Sequence, residues 1–325
     1  MADPLDPYVR HQVYVEGYKN GETASADATF EEVSAVVLLV VTKLGVGNLG
    51  ELTKRQMLTM VSDIKAKVKT IFNKTADLTE ANIAKFLAAD IKVTGQMVEA
   101  TAGKPIGYGA VNLTWSNVAN TPIAGVGVEP SVLLPATLTA MLADLSALVK
   151  RGYADSQEVA DFTRELVGTN AHKYRDGLIN KMKRRWTTAV QTMIQHTSSM
   201  VAFKLQSLVS ENYTWCAVLD SRTTEICRDR NGRVYAYRNG PRPPAHWNCR
   251  SFTVPLTITE AMPTFYAWVS RQPVAIQNDV LGPARARELR TGLLKADDLP
   301  GFDRTRPLTV TEYAGKVDQI LTEVA

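Results

Sequence analysis

Apolar positions recur at three- and four-residue spacing over most of this chain, and that period predicts helices. Met57, Met60, Val61, Ile64 and Val68 follow it, as do Ile83, Phe86, Leu87 and Ile91, giving a helical N-terminal domain over 31–104. From 105 to 130 the composition turns to Gly, Pro, Asn and Thr with few charges, which predicts a long loop or weak hairpin acting as a linker. A domain boundary is expected inside it. Helical spacing resumes at Ser131 with Leu134, Leu138, Met141, Leu142, Leu145 and Leu148, ending near Gly152. Asp155 or Ser156 is placed to cap the next helix, which carries Val159, Phe162, Leu166 and Val167 and stops at Gly168. A further helix, His172 to about Val209, puts Trp186, Val190, Met193, Val201, Leu205 and Leu208 largely on one side, as core.

The period then changes. Short alternating runs, Trp215–Leu219, Arg233–Tyr237 and Ser251–Val254, are separated by the turn dipeptides Asn231-Gly232 and Asn239-Gly240. The expected fold is therefore α+β, predominantly helical, with a small β-hairpin-rich module near residues 213–255.

With 325 residues, 45% of them hydrophobic and 22% charged, the chain has the composition of an ordinary globular protein of about two domains. Its longest unbroken apolar run, Ala35–Val41, is short for a bilayer span, so no membrane partner is expected. Three cysteines are too few for a disulfide framework and point to a reducing compartment, the cytoplasm by default. Charge is uneven. Residues 1–32 hold seven acids against Arg10 and Lys19, and residues 1–30 read as a flexible acidic arm in which Gly17, Asn20 and Gly21 mark turns. Residues 170–255 hold fourteen bases against five acids, a balance suited to an anionic partner or to a solvated surface. Lys181, Lys183, Arg184, Arg185, Arg228, Arg230 and Arg233 are the candidates for non-specific contacts with DNA phosphates.

All three cysteines, Cys216, Cys227 and Cys249, lie in the β module with His246. Three readings of this group stand side by side. The four residues can be the ligands of a zinc ion, whose binding would hold a module too small to bury much surface. They can be buried thiols packed in a hydrogen-bonded turn. Cys227 and His246 can be a nucleophile and its base. Beside them, Asp220, Arg222, Thr223, Pro244 and Arg250 read as a structural motif. Asp and Thr bond their own turn, and Arg222 and Arg250 are placed to clamp Asp220 or a phosphate. Gly45-Val46-Gly47-Asn48-Leu49-Gly50 spells a dinucleotide-binding fingerprint, but no second strand or terminal acid follows, and it reads as a glycine-rich helix break.

Leu219-Asp220-Ser221-Arg222-Thr223, then Cys227, Asn231-Gly232 and Pro243-Pro244-Ala245-His246-Trp247-Asn248-Cys249-Arg250 together resemble the phage minor head, or head morphogenesis, proteins of the Mu F-like class. Tyr266, Trp268, Gln272-Pro273, Val280 to Arg285 and Pro307-Leu308-Thr309 resemble that family's usual ending, so a Mu F-like domain is expected over 131–325. Many such relatives have Cys-x-x-Cys and a final Cys-Arg-Cys; here Thr224 and Ser251 stand at those places. The resemblance implies a structural, non-enzymatic protein of the virion head interior, near the portal, made in the host cytoplasm. Portal or major capsid protein and the packaged DNA would be its partners, and ejection with the DNA is part of the same expectation. The rival is a phage-delivered enzyme, either a zinc-assisted nuclease or an ADP-ribosyltransferase-like toxin.

Overall fold

The computed structural model describes residues 5–220, 222–255, 263–299 and 301–321, and its fold is α+β and mainly helical. The helices are α1 (Asp6–Ser25), α2 (Asp27–Thr42), α3 (Lys54–Ala102), α4 (Trp115–Ala119), α5 (Pro130–Ala154), α6 (Val159–Val167) and α7 (Leu178–Gln206). After them come α8 (Glu225–Arg230), α9 (Phe265–Ser270), α10 (Val274–Leu281), α11 (Pro283–Arg290), α12 (Val310–Ala314) and α13 (Val317–Leu321). Three short strands, β1 (Asn212–Cys216), β2 (Val234–Ala236) and β3 (Phe252–Pro255), form one antiparallel sheet in the order β2-β1-β3.

The chain divides into two units that are not consecutive in sequence. One comprises Met1–Ala24, Ala81–Pro130 and Gln191–Ala325; the other comprises Ser25–Glu80 and Ser131–Val190. This differs from the expected split at the linker, because periodicity along the chain cannot show that both ends return to the same core.

The acidic arm is corrected most sharply. Residues Asp6–Ser25 are a helix, and most of it is buried inside its unit. Its polar groups are satisfied in place, as burial demands. Arg10 Nε meets Asp6 Oδ2 at 2.6 Å, and its Nη2 donates to Gln272 at 2.8 Å. Lys19 pairs with Glu16 at 2.6 Å, His11 with Asp90 at 2.6 Å, and Asn82 donates to Glu22 at 3.2 Å. Tyr18 stacks on Phe86 with ring centroids 4.5 Å apart. Gly21 is a site of close approach, since a Cβ there would lie 1.9 Å from the Leu308 carbonyl oxygen. Counting acids against bases missed this because Asp90, Gln272 and Phe86, which bond to or pack on this helix, lie far along the chain. Asp3 lies outside the described residues.

In the second unit, Phe30, Phe72 and Trp186 pack in sequence, with centroids 5.4 and 5.6 Å apart. The glycine-rich segment before α3 is a turn with no strand ahead of it: Asn48 caps it, accepting from the Gly50 N–H, and Leu49 N–H donates to Gln157 at 2.8 Å. The residue capping α6 is Glu158, with no side-chain bond, and not Asp155 or Ser156, which lie in the turn after α5. α5 is long and apolar enough, by length and composition, to cross a membrane; half of that stretch is buried in the structure. Reading only unbroken apolar runs overlooked it, because Pro135, Thr137, Thr139 and Asp144 interrupt the run.

Candidate functional site: a sulfur and imidazole cluster in the β module

The module is built on β1. Tyr213 and Trp215 face inward and form a core with Ala217, Cys227, Ala245 and Cys249, against which Phe203, Tyr235 and Tyr237 pack. Arg230 lies over the Trp215 ring, 5.0 Å from its centroid. β1 ends three residues earlier than alternation suggests, at Cys216, because residues 217–223 leave the sheet for the Asp220 turn. Neither Asn-Gly dipeptide joins two paired strands. α8, which the alternating pattern does not suggest, lies between β1 and β2, and the Pro-Pro-x-His-x-x-Cys box lies between β2 and β3. Asn231 Oδ1 instead accepts from the Ala217 N–H at 2.9 Å, and Gly240 N–H returns to the Ala236 carbonyl at 2.7 Å.

α8 presents Cys227 from its first turn, and the box presents His246 and Cys249 opposite it. The Pro243–Pro244 peptide is cis. The box is held by contacts from outside it: the Gly125 N–H donates to the Pro244 carbonyl at 2.8 Å. Asn248 takes a left-handed conformation, φ 56°, with its N–H donating to the Thr192 hydroxyl at 3.1 Å. A Cβ on Gly125 would lie 2.0 Å from the Ala245 carbonyl carbon, so only glycine lets the two backbones meet. Nothing in the sequence marked Gly125 or Thr192 as part of this site.

Cys227, His246 and Cys249 place their donor atoms within 4.8 Å of one another. The two sulfurs are 3.8 Å apart and His246 Nε2 is 3.2 Å from Cys227 Sγ. His246 Nδ1 donates to the Trp247 carbonyl at 2.7 Å, which turns Nε2 towards the sulfurs. The Cys249 thiol is held well below its ordinary range by the hydrogen bond from Cys227 and by His246, while Cys227, which keeps the bridging proton, is pushed up. The His246 imidazole is raised by the Cys249 thiolate beside it.

These residues fit a zinc ion. Two thiolates on one tetrahedral zinc, with bonds of ~2.3 Å, stand about 3.8 Å apart, the spacing found here. The hydroxyls of Thr224 and Ser251 lie beside Cys227. Cys216 is not a member of the cluster, which corrects the four-ligand expectation. Trp215 points into the core, so the next residue along the pleat points to the other face. Burial there pushes the Cys216 thiol up to about 12.

Next to the cluster, Asp220 is the hub of the second motif. Arg250 grips both its oxygens, Nη1 to Oδ2 at 2.5 Å and Nη2 to Oδ1 at 2.8 Å, and the Arg222 backbone N–H donates to Oδ1 at 2.9 Å. Thr223 accepts from the Asp220 N–H at 2.9 Å and donates to the Val218 carbonyl. Burial alone would raise the Asp220 carboxyl; Arg250, with Arg222, overrides it and brings it to about 2. Ser221 lies outside the described residues. Elsewhere in the same unit His196 is buried, its Nε2 donating to the Val118 carbonyl at 3.3 Å, and it is pushed down to about 4 by burial and by the charge of Arg242.

The proposed DNA-contacting residues fall into two sets, one in each unit. Lys181 and Arg185 reach Asp144 at 3.4 and 2.9 Å, Lys183 reaches Asp27 at 2.7 Å, and Arg184 is exposed. Arg228 donates to the Thr223 carbonyl at 2.7 Å, Arg230 covers Trp215, and Arg233 is exposed.

Residues 154–254, from the end of α5 to β3, match the family described as Phage Mu protein F like protein. This segment is Mu F-like. It contains the whole cluster, the Asp220 motif and the box, and it lies within the expected 131–325. No curated protein and no solved structure matches the chain. The motifs read beyond residue 255 fall outside the matched segment.

Proposed function

We propose that this protein is a structural minor head protein of a tailed phage, carried inside the capsid near the portal, whose Mu F-like module is a clamp and not a reactive centre. The observation that carries this reading is the cluster itself. Its two sulfurs are buried in the module core, at 2% exposure for Cys227 and 0% for Cys249, where they can tie α8 to the box but offer little surface to a substrate. A zinc ion would be held by Cys227, His246 and Cys249. It would contribute binding free energy to folding, an apparent ~10–16 kcal/mol in zinc-finger peptides. The chain's own residues do the rest: Nδ1 of His246 holds the ring, Gly125 and Thr192 hold the box, and Arg250 ties β3's approach to the Asp220 turn.

In this account Arg184 and Arg233, with the paired bases around them, meet packaged DNA through its phosphates, and portal or major capsid protein is the protein partner. Antibody labelling of intact and opened virions tests the placement. Label seen only on opened heads, near the portal vertex, agrees with it; absence of the chain from mature particles contradicts it. One observation favours the nuclease as a second reading: three ligands leave a fourth position, as catalytic zinc sites do.

A further inference from the structure

α2 is apolar in nearly every direction over Val33–Val41, yet it has only one well-covered face. Val33, Val37 and Val41 are fully buried, while Leu39 is 53% exposed and Val36 and Val40 are half-buried. A helix that is apolar all round is normally enclosed by its surroundings. Beside its outer face, within the same unit, a groove of about 410 Å³ runs between α2 and the first turns of α3. Val36, Leu39, Val40, Leu44 and Met60 form its floor. Its rim is cationic: Lys43, Arg55 and Lys67, all exposed, stand against the single acid Asp63.

We propose that this groove docks an amphipathic helix of a partner protein, with aliphatic anchors entering the floor and acidic residues flanking them. The volume suits several aliphatic side chains presented from one helix face at i, i+3, i+4 and i+7. The rim decides the sign of the flanks. An acidic helix meets three cations there, whereas a basic one meets like charge, and rim charges of this kind govern partner choice more than raw affinity. The inference is independent of the Mu F-like segment, because α2 and this part of α3 lie outside residues 154–254.

The test uses the full chain and fluorescently labelled synthetic helical peptides, followed by anisotropy. One peptide has leucines at that spacing flanked by glutamates, a second has lysines in place of the glutamates, and a third has the first peptide's residues in scrambled order. The acidic peptide should bind at least roughly tenfold more tightly than either control, a gap that narrows in high salt. Leu39→Glu should abolish binding, and the triple variant Lys43→Glu, Arg55→Glu, Lys67→Glu should reverse the preference. These positions are exposed, so loss of folding is not expected to intervene, and circular dichroism checks it. Equal binding of all three peptides overturns the proposal. So does a chain that sediments as a dimer and becomes monomeric on Leu39→Glu without discriminating among peptides, since a second copy would then be the occupant.

Discussion

Replacing Asp220 with Asn removes the charge at the hub of the turn motif and turns one of the two oxygens that accept from Arg250 into a donor, while keeping the side chain's shape. In the folded protein the carboxyl is lowered from 3.8 to about 2. At ~1.36 kcal/mol per pK unit the shift corresponds to roughly 2 kcal/mol, and the share from Arg222, whose side chain is 52% exposed, is screened by water. We therefore expect Asp220→Asn to cost about 2 kcal/mol near neutral pH, the screened charge and the lost acceptor together. The pH dependence fixes the sign. A carboxyl depressed on folding stabilises the protein above its unfolded pKa, and that contribution is lost as pH falls through the folded value. The gap between wild type and variant should hold at pH 5 and above and close between about pH 4 and pH 2. Arg250→Ala should cost more, about 3–5 kcal/mol, because it strands a buried charge. Urea denaturation at a series of pH values measures both, with hydrogen exchange of the β1 amides showing where stability is lost. A cost under about 0.5 kcal/mol, or a gap that does not change with pH, would refute the reasoning.

Gly125→Ala should cost about 1–3 kcal/mol or more by pushing the Ala245 backbone aside, and hydrogen exchange should show protection lost first at residues 246–250. Arg10→Met, which removes the cation paired with Asp6 and bound to Gln272, should destabilise by about 3–5 kcal/mol in urea; no measurable change would show that α1 is not built into its core. Incubated with supercoiled DNA and a divalent metal, the purified chain should leave the DNA intact, and nicking abolished by His246→Ala would establish the nuclease instead.

Much of this was legible in residues alone, and the misses share a cause. The long helices were visible because Met57 to Val68 and Leu134 to Leu148 repeat a buried stripe that local geometry fixes. The Cys227, His246 and Cys249 association was visible from residue type and proximity, and the Pro-Pro-x-His-x-x-Cys box from its resemblance. Cys216 was misplaced because ligand spacing does not reveal the face of a strand, and one step of the pleat sends it away from the cluster. α1 was misread because a polar helix resembles a solvated arm until its partners are known. Those partners, Asp90, Gln195, Gln272 and Tyr313, are spread over more than two hundred residues. Gly125 was unreadable for the same reason: its need for a missing side chain comes from a backbone 120 residues later.

The clamp stands or falls on metal content. Elemental analysis of chain purified without chelator should find about one zinc per chain in wild type and in Cys216→Ser, and far less in Cys249→Ser, whose β-module amides should exchange freely while those of α2 and α5 stay protected. Wild-type protein with less than about one zinc per ten chains, and with its module amides fully protected, would contradict a metal-held clamp.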